Sequence, residues 1–152
     1  MNRESQPTYA LPQLSIESVI AGRIEQRSLF IPYMISSKGR NVEGSALADT
    51  GAKGKFIDRN FARRTGIPQK RLPTPIICYN VDGTRNKSGL ILNYCEIPLE
   101  IGGKTKTHKL YVTGLGNQSI ILGYPWFQEN NPVVNWRTGK ITLKSTTQEI
   151  KD

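Results

Sequence analysis

Apolar residues along this chain come in short runs, each cut off by glycine, proline, asparagine or charge. The runs are Leu29 to Ile35, Ser45 to Ala48, Pro75 to Val81, Gly89 to Leu92, Tyr94 to Ile101, Lys109 to Thr113, Ser119 to Leu122 and Lys140 to Leu143. Short strands at this spacing predict an all-β barrel or sandwich rather than a parallel α/β fold. Ile97, Leu99 and Ile101 alternate with other residues as a half-buried strand should. Two stretches read as helix. Asp58 can cap a short helix running through Phe61 and Ala62 to Arg64, with the basic residues in its last turn and Gly66 ending it. The second covers Tyr124 to Asn130 and is stopped by Asn131-Pro132. Residues 1–24 are polar, with a weak apolar pattern at Leu14, Ile16, Val19 and Ile20. They read as a leader or linker carrying one edge strand around Leu14 to Ile20, followed by a domain over 25–146 and a flexible tail over 147–152.

A length of 152 residues suits one domain with one core. Fourteen glycines and nine prolines promise frequent turns. The net charge of +9 raises nucleic acid as a partner, and seven basic residues between Lys53 and Arg71 face the single acid Asp58. Only Phe56 and Phe61 are interleaved there and no nucleic-acid motif accompanies them, so the patch reads as a solvated face with weak, non-specific RNA attraction. Cys78 and Cys95 lack metal or redox spacing and read as buried free thiols, and the lone His108 builds no metal site. No apolar run approaches the ~18 residues of a membrane span, and the polar N-terminus does not resemble a signal peptide. The expectation is a soluble, intracellular protein without a membrane partner.

One segment carries chemistry. Ala46, Leu47 and Ala48 form a small apolar strand end that delivers Asp49-Thr50-Gly51, after which Phe56 and Ile57 return to apolar character. Gly51 lets main-chain N–H groups approach a carboxylate closely. A loop aspartate can equally cap a turn. Further along, Asp82-Gly83 suits the type I′ turn of a tight hairpin.

Four segments together resemble the retropepsins, the retroviral-type aspartic proteases, and most closely those of gypsy-type long-terminal-repeat retrotransposons. They are Ala48-Asp49-Thr50-Gly51-Ala52 with Phe56-Ile57-Asp58, then Val81-Asp82-Gly83-Thr84, then Ile120-Ile121-Leu122-Gly123. The last is Tyr124-Pro125-Trp126-Phe127, followed by Asn131-Pro132 and Asn135-Trp136, so that the resemblance spans residues 27–144. It implies a closed β-barrel with a flap hairpin, one or two short helices, one Asp-Thr-Gly per chain, and a homodimer. Asp49 would be the catalytic carboxylate, and Thr50 and Gly51 would form the active-site loop at the dimer axis. Ala52, Asp82, Gly83 and Thr84 would contact substrate, the last three from the flap. Ile121, Leu122 and Gly123 would support the catalytic loop from beneath. No metal or cofactor is implied.

The activity implied is that of a homodimeric aspartic endopeptidase. It would process its own Gag-Pol-type polyprotein in the cytoplasm, in association with virus-like particles. Asn135 and Gly114 depart from acidic residues usual in that family, and Lys53 and Lys55 make the loop unusually basic, which would favour acidic substrate side chains. Two other readings stay open: a non-catalytic binding or dimerisation module of the same fold, and a basic nucleic-acid-binding barrel.

Overall fold

The structure, a computed structural model, describes residues 13–77 and 89–148, with the side chains of 13–17 and 145–148 left aside. Six strands close on themselves. β3 (Ser28–Ser37), β4 (Arg40–Ala48), β9 (Ile120–Leu122), β5 (Lys55–Asp58), β8 (Lys104–Thr113) and β7 (Leu90–Ile101) follow one another around a barrel. Pairs Met34↔Glu100 and Ile35↔Leu99 seal β3 to β7. β2 (Arg23–Glu25) and β6 (Lys70–Ile77) extend this sheet at its two ends. A separate three-stranded sheet sets β11 (Lys140–Gln148) between β1 (Gln13–Ala21) and β10 (Val133–Val134). The edge strand expected around Leu14 to Ile20 is thus β1, and its Ile20 is buried in the main core.

Alternation builds the interior. Leu29, Ile31, Tyr33 and Ile35 of β3 point inward, as do Ile97, Leu99 and Ile101 of β7. β9 behaves differently, because cores cover both of its faces and all three residues are completely buried. Ile120 and Leu122 join the main core, whereas Ile121 faces the opposite way into a smaller cluster with Ala52, Phe56, Leu72, Ile91 and Leu115. That smaller cluster lies beneath the loop joining β4 to β5, which carries Asp49.

Both expected helices are present. α1 (Arg59–Thr65) begins where the Asp58 carboxylate accepts a hydrogen bond from Phe61 N at 3.1 Å, and ends at Gly66 in the left-handed conformation. The other Asp58 oxygen accepts from Leu115 N at 2.9 Å, so this carboxylate ties the helix to the strand-end loop and serves as structure. α2 (Tyr124–Asn130) ends at left-handed Asn131 and buries Trp126 against the core. Trp136, expected in core or dimer packing, is 59% exposed in the single chain. Among the described residues no helix is long and apolar enough to cross a membrane.

Several strands are longer than the apolar runs. β8 starts at Lys104 rather than Lys109, and β4 starts at Arg40 rather than Ser45. Apart from buried His108, their extra halves are mostly polar and face solvent, and backbone pairing with β7 and β3 holds them. Gly89 to Leu92 and Tyr94 to Ile101 form one continuous strand, β7. The expected flap turn, Asp82-Gly83 with Thr84, lies outside the described residues, as does Cys78.

Candidate active site

The chain passes from β4 to β5 through a loop at 49–54, and β9 lies between those two strands. Leu47 and Ala48 pair in parallel with Ile121 and Leu122, while Lys55, Phe56 and Ile57 pair antiparallel with Leu122, Ile121 and Ile120. The loop is therefore pinned from both sides to one fully buried strand. Asp49 N donates to Leu122 O at 2.9 Å, Gly123 N to Gly54 O at 3.0 Å, and Tyr124 N to Ala52 O at 2.8 Å. Three main-chain bonds across so short a span leave the loop little freedom.

Asp49 is half-buried at the head of this loop. Its Oδ1 accepts from Gly51 N at 3.0 Å, which aims the carboxylate, and among the described residues Oδ2 has no partner. Thr50 and Gly51 are exposed on the outer rim, and the Thr50 hydroxyl likewise has no partner among the described residues. Ala52 differs from them. It is 3% exposed, its N–H goes to Asp49 O at 3.1 Å and its carbonyl accepts from Tyr124 N, so both backbone groups are engaged within the subunit. Ile121, Leu122 and Gly123 lie directly under the loop, with Gly123 packed against the carbonyls of Ala52 and Gly54. Asp82, Gly83 and Thr84 are outside the described residues.

The basic character of the loop resolves differently from expectation. Lys55 is bonded within the subunit. Its side chain is 12% exposed, and its ammonium reaches His108 Nδ1 at 3.1 Å and Glu129 Oε1 at 3.2 Å. An ammonium can only donate, so His108 accepts at Nδ1 and carries its proton on Nε2. This cluster joins the end of the Asp49 loop to β8 and to the last turn of α2. No spacing in the sequence groups the three residues. The one signal was His108 falling in step with Leu110 and Val112, which marks it as inward-facing. Elsewhere in the basic patch, Lys70 is paired with Glu96 at 2.7 Å. Cys95 is buried in the core, and burial pushes its thiol up to about 11, which makes it inert.

Burial pushes His108 down to about 4, helped by the Lys55 and Lys106 ammonium groups and opposed by Glu129. An unfolded histidine titrates near ~6.5. Between those values the unfolded chain binds the extra proton, so stability falls as pH drops. The contribution is whole above pH ~6.5, shrinks toward pH ~4 and is gone below it, a change of about 2–3 kcal/mol. Urea unfolding at neutral and mildly acidic pH should show wild type losing that much more than His108→Gln. Equal losses in the two proteins would disprove this account of the cluster.

Asn135 forms a local turn, its Oδ1 accepting from Arg137 N at 2.9 Å and Thr138 N at 3.2 Å. An aspartate would make the same bonds, so its replacement costs the fold little here.

Comparison with known proteins agrees with this arrangement. Residues 45–150 match the sequence model of the PEG10/RTL1 protease domain. A retropepsin-like aspartic protease from Rickettsia conorii is similar over 92% of this chain and 98% of its own, at 19% identity and a TM-score of 0.57. The retroviral protease-like domain of Ddi1 from Leishmania major is similar over 76% of this chain and 87% of its own, at 18% identity and a TM-score of 0.52. At these identities the two structures speak to the fold, which is the retropepsin-like barrel.

Proposed function

The chain belongs to the PEG10/RTL1 protease-domain family, and from that premise we propose that two copies assemble into an aspartic endopeptidase with one Asp49 from each. The observation carrying this reading is the Asp49 carboxylate itself, aimed by Gly51 N, with its second oxygen open beside exposed Thr50 and Gly51. One carboxylate cannot perform the reaction. The dyad needs an ionised member and a protonated one, and two carboxylates about 3 Å apart share a single proton for electrostatic reasons. The ionised Asp49 takes a proton from water, which attacks the scissile carbonyl. Its partner copy donates to the carbonyl oxygen, and the roles reverse as the amine leaves. No covalent intermediate forms.

In this reading Thr50 holds the two loops together across the axis, and the exposed Thr50 hydroxyl supports that role. Ala52 shapes the loop through its inward bonds, while Asp82, Gly83 and Thr84 close over the peptide as a flap. The exposed apolar side chains Ile76, Ile77, Leu90 and Leu92 on the stem of β6 and β7 suit a surface that closes on peptide or on the other subunit. The substrate class is an extended polypeptide bound as an added strand, and its own Gag-Pol-type polyprotein is the natural candidate.

The dimer requirement gives the test. At mildly acidic pH, with peptides spanning the polyprotein junctions, cleavage per mole of chain should rise with chain concentration and saturate where sedimentation reports the dimer. Cleavage by a strict monomer would refute the shared site. A stable dimer that cuts no junction peptide would favour the non-catalytic dimerisation module instead.

A further inference from the structure

Seven basic residues lie between Lys53 and Arg71, and folding sends them to different places. Lys55 and Lys70 are bonded to Glu129 and Glu96. Three others gather on α1. At 3.6 residues per turn, buried Phe61 and Ala62 fix the inner side of this helix, and Arg59, Asn60, Arg63 and Arg64 make up the outer one. Arg63 and Arg64 are exposed, and the Arg64 guanidinium lies 6.0 Å from the centre of the Phe61 ring. A fourth cation arrives from elsewhere in the chain. Exposed Lys38, in the turn between β3 and β4, holds its ammonium 3.7 Å from where a Cβ of Gly66 would stand, at the end of α1. From Arg59 to Gly66 this makes a stripe of positive charge about 10 Å long, at a rise of about 1.5 Å per residue.

Helix electrostatics account for only part of the stripe. Arg63 and Arg64 are in the last turn, where the helix dipole favours a cation. Arg59 is the first residue of α1, where the dipole disfavours one. It also stands four residues before Arg63, a spacing at which like charges destabilise a helix. No acid within α1 offsets this, and the Asp58 carboxylate that caps the helix is already bonded to Phe61 N and Leu115 N. Nη1 of Arg59 lies 3.9 Å from where a Cβ of Gly114 would be, and glycine offers it no side chain to pair with. Among the described residues none of these four cations has an anionic partner.

We propose that the stripe formed by Lys38, Arg59, Arg63 and Arg64 binds a nucleic-acid duplex through its phosphates. Guanidinium groups suit phosphate because their planar fork donates two parallel bonds. No large exposed hydrophobic side chain lies on α1 or in the turn at Lys38, so the face lacks the apolar centre that a protein partner needs. It also lacks an exposed aromatic ring, the platform on which single strands stack their bases. Duplex phosphates remain, and contacts to them alone carry no sequence preference. The stripe lies on α1 and not on the Asp49 loop, so this binding is separate from peptide cleavage.

A short labelled RNA duplex of mixed sequence is the probe, titrated with the full chain by fluorescence anisotropy over a series of salt concentrations. Binding should saturate at low salt, and log Kd should rise with log salt at a slope of roughly three to four, as four phosphate contacts require. The double variant Arg63→Gln with Arg64→Gln should lower that slope by about two, and Lys38→Gln, which leaves the helix untouched, by about one. Gly114→Asp removes no cation but sets a carboxylate beside Arg59, and should also lower the slope by about one. Arg137→Gln with Lys140→Gln takes the same charge from two exposed residues elsewhere and should leave the slope unchanged. Absence of binding at low salt would overturn the proposal. So would an equal loss in the Arg137 and Lys140 control, which would reduce the effect to net charge. A single strand that binds more tightly than the duplex, or polyglutamate that displaces the duplex at equal charge, would refute the choice of partner.

Discussion

Asp49→Asn is expected to lower peptide cleavage by a factor on the order of 10⁴ or more, with the fold and the dimer left intact. The substitution is nearly isosteric. An asparagine oxygen can still accept from Gly51 N, so the bond that aims the side chain at 3.0 Å survives. The main-chain bonds from Asp49 N to Leu122 O and from Ala52 N to Asp49 O are untouched. What disappears is the capacity to hold or release a proton. In the proposed dimer each copy supplies one Asp49, so a single substitution would remove both the general base and the general acid, each contributing roughly 10²–10⁴-fold. Junction-peptide cleavage at mildly acidic pH measures the loss, and a thermal melt with sedimentation checks the fold and the dimer. Activity within tenfold of wild type would remove Asp49 from the catalytic role. An unfolded variant would contradict the claim that the loop is held by its backbone.

The parts legible in the sequence were those whose chemistry is local. α1 announced both its ends through Asp58 and Gly66, and α2 through Asn131-Pro132, because caps and breakers act within a few residues. The Asp49 loop was readable for a similar reason, since a small apolar strand end, an aspartate and a glycine follow in order. The hairpin of β2 and β3 was invisible. Its turn places Gln26 and Arg27 at φ 50° and 68°, and neither residue carries the glycine or asparagine that usually marks such a turn. The polar half of β8 was hidden because pairing with β7, not burial, makes it a strand. The cluster of Lys55, His108 and Glu129 was beyond reach altogether. Its members come from three elements that only barrel closure brings together, so a lysine that looked like a substrate contact is an internal tie.

Gly123→Ala should be severely damaging, costing about 3 kcal/mol or more of stability and abolishing cleavage with it. The backbone conformation is not the obstacle, since φ at Gly123 is −88°, which any residue adopts. The obstacle is space. A Cβ there would be driven into Gly54 O, would lie 2.5 Å from Ala52 O, and would lie 2.9 Å from Ala52 C. All three are main-chain atoms of the Asp49 loop, so no side chain can swing away to make room. Either β9 moves, losing the complete burial of Ile120, Ile121 and Leu122, or the loop moves and carries Asp49 with it. A displacement of even about 1 Å at the reacting group is enough to lose on the order of 10²-fold in rate. The control is Gly39→Ala, at φ 74° but with open space around it, where strain alone should cost about 1–2 kcal/mol and leave cleavage unchanged. Denaturant unfolding and peptide cleavage on both variants decide the matter. If Gly123→Ala is no less stable than Gly39→Ala and still cuts, then the close seating of the loop on Gly123 is not what holds Asp49 in place.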